Sequence, residues 1–183
     1  MNRKFLILFL CMLLITISTT AQSGDMERKL SDDEINFILN KVGGVWTIEK
    51  RIFEDGTVLT EPDVRGYLII SREYWTQIEA QVVPVGDVKP FTGSYFGTTD
   101  FSSTRSIEKV LLLIRTQGKD EKSSAVINTK EQLQKTWLII DNDGVTQKFE
   151  GGGSVTMKDG RFEQARKGYT TYWKRILTPS QVF

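Results

Sequence analysis

The chain has 183 residues and carries 24 Lys and Arg against 23 Asp and Glu, so its formal net charge at pH 7 is +1. It contains no basic run of the kind that grips phosphates, and we therefore expect no nucleic acid among its partners. There is no histidine and only one cysteine, Cys11. These absences exclude Ser-His-Asp and Cys-His catalysis, histidine-ligated haem and the ordinary zinc sites, so we predict no metal and no cofactor.

Residues 1–21 have the pattern of a secretory signal peptide. Arg3 and Lys4 precede an apolar run over residues 5–17, and a small-residue stretch ends at Ala21. A basic head, an apolar core of roughly 7–15 residues and a small-residue cleavage site are typical of exported proteins. The apolar run is shorter than the roughly 18–20 residues that cross a bilayer. We predict cleavage near Ala21 and a secreted or periplasmic protein with no stable membrane span after signal removal.

The exported chain is predicted to hold together without disulfides, because Cys11 lies in the segment that is removed. Residues 22–29 are polar and are predicted to form a flexible N-terminal segment. No repeat or low-complexity linker interrupts residues 30–183, which we therefore predict to be one domain of sufficient size to bury a core. The sequence leaves the oligomeric state open.

The stretch LSDDEINFILNKVGG predicts one short helix over about residues 32–42. Ser31 can act as its N-cap, and Glu34, three residues later, can complete a capping box. Gly43 or Gly44 can supply a left-handed stop. An apolar stripe at helical spacing gives this helix one face to dock on the rest of the protein. It consists of Ile35, Ile38, Leu39 and Val42.

After Gly44 the apolar period changes to two, as in strands with one buried face. Asp-Gly pairs at 55–56, 143–144 and 159–160 predict three tight hairpins between β-like runs. Strands do not alternate with helices, which argues against a parallel sheet. The prediction is an all-β, antiparallel up-and-down β-barrel with the short N-terminal helix capping one end. A β-sandwich is the alternative, but closing the sheet removes its exposed edges.

The first predicted strand turns Trp46, Ile48 and Ile52 inward and Arg51 outward. In the run over residues 74–82, Tyr74 and Ile78 belong to the more apolar face. We expect that face to point inward. The opposite face is then in solvent, and it consists of Trp75, Gln77, Glu79 and Gln81.

A barrel projects alternate side chains of each strand into one interior, where aromatic residues from different strands can converge. They would either fill that interior or line a cavity for a small ligand. We predict no catalytic residue, and a ligand-binding set of five residues. These are Tyr67, Tyr74, Ile78, Tyr95 and Trp173.

Two segments resemble parts of the lipocalins. Gly44-Val45-Trp46, after a short helix, resembles their GxW signature, and the C-terminal TTYWKRI resembles their last strand. Longer segments, GVWTIEKRIFEDG and FTGSYFGTTDF among them, are similar to lipocalin-like domains of bacterial secreted proteins. The resemblance implies a barrel closed by a basic side chain over the first-strand tryptophan. That implies Arg175 over Trp46, or Lys174 if the register is one residue off, in a cation–π contact.

Together these features predict an exported lipocalin-like barrel that binds a small apolar or amphipathic molecule. Two alternatives stay open. A metal-independent enzyme, an isomerase or hydrolase, would need a buried carboxylate with a shifted pKa, for instance Glu108 beside Tyr95. A cell-surface interaction scaffold would show a contiguous exposed apolar patch, for instance around Trp75 or Trp137.

Overall fold

The fold is that of a computed structural model. It describes residues 28–102, 105–117, 124–140, 144–150, 152–158 and 160–182. The predicted signal peptide and most of the segment over 22–29 lie outside the described residues. So do Asp143 and Asp159, which belong to two of the three predicted Asp-Gly turns. In the described ranges, no helix has both the length and the apolar character that a membrane span requires.

The described chain is mostly antiparallel β-sheet, as predicted, with a short helix at each end. Helix α1 is Asp32–Val42 and helix α2 is Pro179–Val182. The strands are β1 (Gly44–Phe53), β2 (Val58–Leu59), β3 (Val64–Ile70), β4 (Tyr74–Gln81), β5 (Phe91–Phe101), β6 (Arg105–Gln117), β7 (Ser124–Asn128), β8 (Gln132–Ile140), β9 (Gly144–Phe149), β10 (Ser154–Lys158), β11 (Arg161–Arg166) and β12 (Tyr169–Leu177).

Helix α1 has the predicted capping box. The hydroxyl of Ser31 accepts a hydrogen bond from the backbone amide of Glu34 at 3.3 Å. The Glu34 carboxylate accepts one from the backbone amide of Ser31 at 2.9 Å. The C-cap is Gly43, whose φ of −70° is ordinary, whereas Gly44 has a φ of +104°. A Cβ at Gly44 would also collide with the carbonyl oxygen of Leu177 in β12. Glycine is therefore required where the chain leaves the helix and enters β1.

Strand β1 holds the sheet together because it pairs with β3 on one side and β12 on the other. From β3 the antiparallel pairing runs through β4, β5, β6, β8, β9, β10 and β11 to β12, and so returns to β1. The short strands β2 and β7 are attached to β1 and β6. The result is a curled, barrel-like wall.

A bulge in β1 changes which residues face the interior. Trp46 and Ile48 are buried, but the pairing with β12 shifts register between Ile48 and Lys50. Beyond the shift Arg51 is buried and Ile52 is only half-buried. The predicted orientation of these last two residues was therefore wrong, since one extra residue in a strand reverses the inward and outward positions after it.

The core beneath α1 is aromatic. Trp46 is buried, and its indole nitrogen donates to the carbonyl oxygen of Val42 at 2.9 Å. The edge of its ring meets Phe162 at a centroid distance of 5.9 Å, and Phe162 stacks on Trp173 at 5.7 Å. Rings from β1, β11 and β12 thus fill the base of the curled sheet, where the end of the helix is fastened to Trp46.

Arg175 joins the last strand to the helix. Its guanidinium carbon lies 4.5 Å from the ring centroid of Trp46, and the register pairs these two residues directly. Its guanidinium donates to the carbonyl oxygens of Asn40, at 3.2 Å, and of Lys41. These oxygens belong to the last turn of α1, where carbonyls lack intrahelical partners. Lys174, the alternative candidate, is exposed on the other face of β12.

Replacing Arg175 tests how much this joint contributes to stability. Arg175→Lys keeps the charge but loses the flat contact with the indole and one carbonyl hydrogen bond. We expect the free energy of unfolding in urea to fall by about 1–3 kcal/mol. Lys174→Gln is the matched control and should change it by less than about 0.5 kcal/mol. Equal stability of the two variants would contradict a stabilising role for the contacts of Arg175 with Trp46 and α1.

Candidate functional site

The curled sheet and α1 surround an interior cavity of about 620 Å³. That volume is in the range of small-molecule sites, roughly 300–1,000 Å³. Much of the lining is apolar. It includes Ile38 and Val42 of α1 together with Leu68, Val145, Val155 and Met157 of the sheet. The aromatic residues of the base therefore do not fill the whole interior.

The same cavity has a polar stretch of wall on β9 and β11. The register pairs Val155 of β10 with Gln147 of β9 on one side and with Gln164 of β11 on the other. All three residues line the cavity. The oxygen Oε1 of Gln164 is buried and has no hydrogen-bond partner within the described part of the chain. The indole nitrogen of Trp75, another lining residue, is in the same situation. An unpaired acceptor and an unpaired donor thus belong to side chains that line the cavity.

Glu108 of β6 brings a carboxyl group to this wall. Its side chain is mostly buried, and Gln147 donates to its Oε1 at a long distance of 3.4 Å. Burial raises the pKa of Glu108 to about 7, and the hydrogen bond from Gln147 opposes that rise only in part. The group therefore exchanges its proton near neutral pH. Tyr95 also lines the cavity, but the register pairs Glu108 with Thr99 and Tyr95 with Leu113, so the expectation that Glu108 lies beside Tyr95 was wrong.

A buried ion pair crosses the interior from β1 to β4. Arg51 and Glu79 have no exposed side-chain surface, and Nη2 of the arginine lies 2.6 Å from Oε2 of the glutamate. Arg51 also donates to Thr171 at 2.9 Å and to Gln81 at 2.8 Å, while Gln77 donates to the second oxygen of Glu79 at 3.1 Å. This complete set of partners offsets the cost of burying both charges.

Arg166 extends the polar network toward the ends of the strands. Its Nη2 lies 3.8 Å from Oε1 of Glu79, and its side chain is 36% exposed. Burial lowers the pKa of Arg166. Interactions with Glu79, Tyr169 and Tyr95 raise the same pKa by a larger amount, so that the net shift is upward. Arg166 therefore remains a cation that is shared between the interior and the solvent.

Three of the five residues predicted to bind a ligand lie on the wrong face. Tyr67, Tyr74 and Ile78 are 56%, 47% and 54% exposed, and none of them lines the cavity. The prediction placed the more apolar face of β4 inward, and it was wrong. The polar face is inside because Arg51 lies there as a partner for its side chains. Glu79, which was expected in solvent, is consequently among the most buried residues.

The structure does bring the other predicted residues to the interior, but in two different roles. Tyr95 lines the cavity, and its ring lies against the backbone of Gly93, where a Cβ would come within 2.8 Å of it. Trp173 is fully buried in the base, stacked on Phe162, and does not line the cavity. It therefore supports the wall rather than facing a ligand.

The two tryptophans proposed for a surface patch differ in position. Trp137 is exposed on β8, as are Leu133 and Ile139 of the same strand face. Trp75 is instead turned toward the cavity. The expectation of a patch around Trp75 was therefore wrong, while Trp137 lies at the surface.

Comparisons of this chain with protein-family models, with curated proteins and with solved structures find no match. Within the described ranges, no group of three or more Asp, Glu, His or Cys residues is placed to hold a metal ion. The cavity and its side chains are therefore the features from which a function can be inferred.

Glu108 predicts a pH dependence of stability with a definite sign. The group ionises near pH 4.5 in the unfolded chain and near pH 7 in the folded one. Between these values the folded state holds the extra proton, so the free energy of unfolding falls as the pH rises toward 7 and then levels off. Relative to Glu108→Gln, the parent should lose about 2–3 kcal/mol across that window.

Urea unfolding at several pH values from about 4.5 to about 8 measures this difference. Glu163→Gln, at an exposed position of β11, is the control and should follow the parent at every pH. Parallel curves for the parent and Glu108→Gln would contradict the buried position of the carboxyl group.

Proposed function

We propose that this protein is an exported, lipocalin-like carrier that binds a small amphipathic molecule inside an up-and-down β-barrel. The barrel is supported by the return of the strand pairing to β1, and by the antiparallel pairing of successive strands from β3 to β6 and from β8 to β12. The lipocalin likeness is supported by the contact between Arg175 and the indole of Trp46.

The observation that carries the proposal is the interior cavity. Protein interiors are close-packed and contain few voids larger than a water molecule. A space of about 620 Å³ inside a curled sheet is therefore typical of a binding site rather than of a packed core. Most of the described residues of its wall belong to α1 and the sheet.

The lining defines the character of the ligand. Ile38, Val42 and Met157 provide apolar surface, which favours a hydrocarbon body. Gln164 and Trp75 provide an acceptor and a donor without partners of their own. A purely apolar molecule would leave these groups unsatisfied, at a cost of about 1–3 kcal/mol each. An amphipathic molecule satisfies both parts of the wall.

Export is supported by the basic, apolar and small-residue pattern of residues 1–21. Cleavage after Ala21 would make Gln22 the first residue of the mature protein. The intact mass of the protein recovered outside the cytoplasm tests this; a mass that includes the first 21 residues would contradict it.

A space-filling variant tests the carrier function. Val155→Trp places an indole in the cavity from the middle of its β10 wall. Glu163→Trp adds the same group at an exposed position of β11. We expect the parent and Glu163→Trp to bind a dansyl-labelled fatty alcohol, with a rise in dansyl fluorescence, and Val155→Trp to bind it at least about tenfold more weakly.

Equal binding by Val155→Trp would place the probe on the outer surface and would contradict an interior site. Circular dichroism and thermal melting of all three proteins establish that the loss of binding is not a loss of fold. Failure of the parent to bind any member of a panel of labelled alcohols, sterols and pigments would also contradict the proposal.

An enzyme is the second candidate, and Glu108 is the observation that favours it. A carboxyl group with a pKa of about 7 on the wall of a cavity is suited to general acid–base catalysis. A bound molecule that is recovered unchanged supports the carrier. Conversion of the molecule by the parent, but not by Glu108→Gln with binding retained, supports the enzyme.

A further inference from the structure

A second cavity, of about 350 Å³, lies at the ends of the strands beside Phe91 and Tyr169. Its rim is strongly basic, and Asp87 is the single carboxylate among the described residues of the lining. The cationic lining residues are Lys89, Arg115, Arg166 and Lys167. They come from the loop before β5, from β6, from the end of β11 and from the turn that follows it, so that only the folded chain brings them together.

Within the described ranges, three of these cations are in no ion pair. Lys89, Arg115 and Lys167 have no ion pair with any residue of the described ranges. Arg166 is only loosely engaged, at 3.8 Å from Glu79. Like charges that converge on a concave surface repel one another and attract anions, and the low-dielectric walls of a cavity strengthen that field.

An aromatic ring beneath the rim contacts one of its arginines. The guanidinium carbon of Arg115 lies 5.4 Å from the ring centroid of Phe91, which is buried. On the interior side, the guanidinium carbon of Arg51 lies 5.4 Å from the centroid of the Phe91 ring and 4.4 Å from the centroid of the Tyr169 ring. The positive charge of Arg51 is compensated by Glu79, so Arg51 does not repel the cations of the rim. The guanidinium of Arg115 presents the planar donor geometry that oxyanions prefer.

The two cavities share Arg166, which lines both of them. We propose that the second cavity binds the oxyanionic headgroup, a carboxylate or a phosphate, of the amphiphile whose body occupies the interior cavity. This inference rests on the proposed function. The apolar lining of the interior holds the hydrocarbon part, and the basic rim selects an acidic amphiphile over a neutral one.

The test compares ligands that differ only in the headgroup. Dodecanoate, dodecyl phosphate, dodecanol and inorganic phosphate are titrated calorimetrically into the full mature chain. The rim variant is Lys89→Gln/Arg115→Gln/Lys167→Gln. The control variant, Arg65→Gln/Lys148→Gln/Lys174→Gln, removes the same charge from exposed positions on β3, β9 and β12.

We expect the parent to bind the two anionic amphiphiles at least about tenfold more tightly than dodecanol. The rim variant should bind all three amphiphiles with the affinity that the parent has for dodecanol. The control variant should retain the preference for the anionic amphiphiles. Thermal melting checks that both variants remain folded, which their exposed positions favour.

Three results would overturn the inference. Equal affinity of the parent for dodecanoate and dodecanol, or equal loss of the preference in both triple variants, removes the headgroup site and leaves the carrier function standing. Binding of inorganic phosphate without binding of any amphiphile removes the headgroup assignment and the carrier function together, and identifies a site for free anions.

Discussion

The pairing of β1 with both β3 and β12 is the constraint on which the rest of the structure depends. It is possible because Gly44 allows the backbone to approach Leu177 at the end of β12, where a side chain would collide. It places Trp46 opposite Arg175, which fastens α1 to the base of the sheet. It also contains the bulge that turns Arg51 inward. The curl of the sheet, its base and its polar interior thus all begin in one strand.

Once Arg51 is inside, the interior cannot be uniformly apolar. A buried cation requires a counter-charge and hydrogen-bond acceptors, and β4 supplies them through Glu79 and Gln81. The polar face of β4 therefore points inward, and its apolar residues remain outside. This is the physical reason for an amphipathic cavity, and also for a network that reaches through Arg166 to the basic rim.

Sequence patterns of short range predicted much of the fold, and interactions of long range explain what they missed. The capping box of α1 is a local signal, and this helix lies where it was expected. Which face of β4 points inward depends on Arg51, which lies 28 residues before its partner Glu79. No local sequence pattern marks the bulge in β1. The basic rim was missed because Lys89, Arg115 and Lys167 converge only through the curl of the sheet.

The space inside the curled sheet should accept a ligand. A crystal structure of the protein with a terminally brominated fatty alcohol shows whether it does, because the anomalous signal locates the bromine without reference to the protein coordinates. We expect a bromine peak in the interior beside Val155 and Met157. A packed interior, with bromine only on the outer face beside Tyr74 and Phe96, would contradict it.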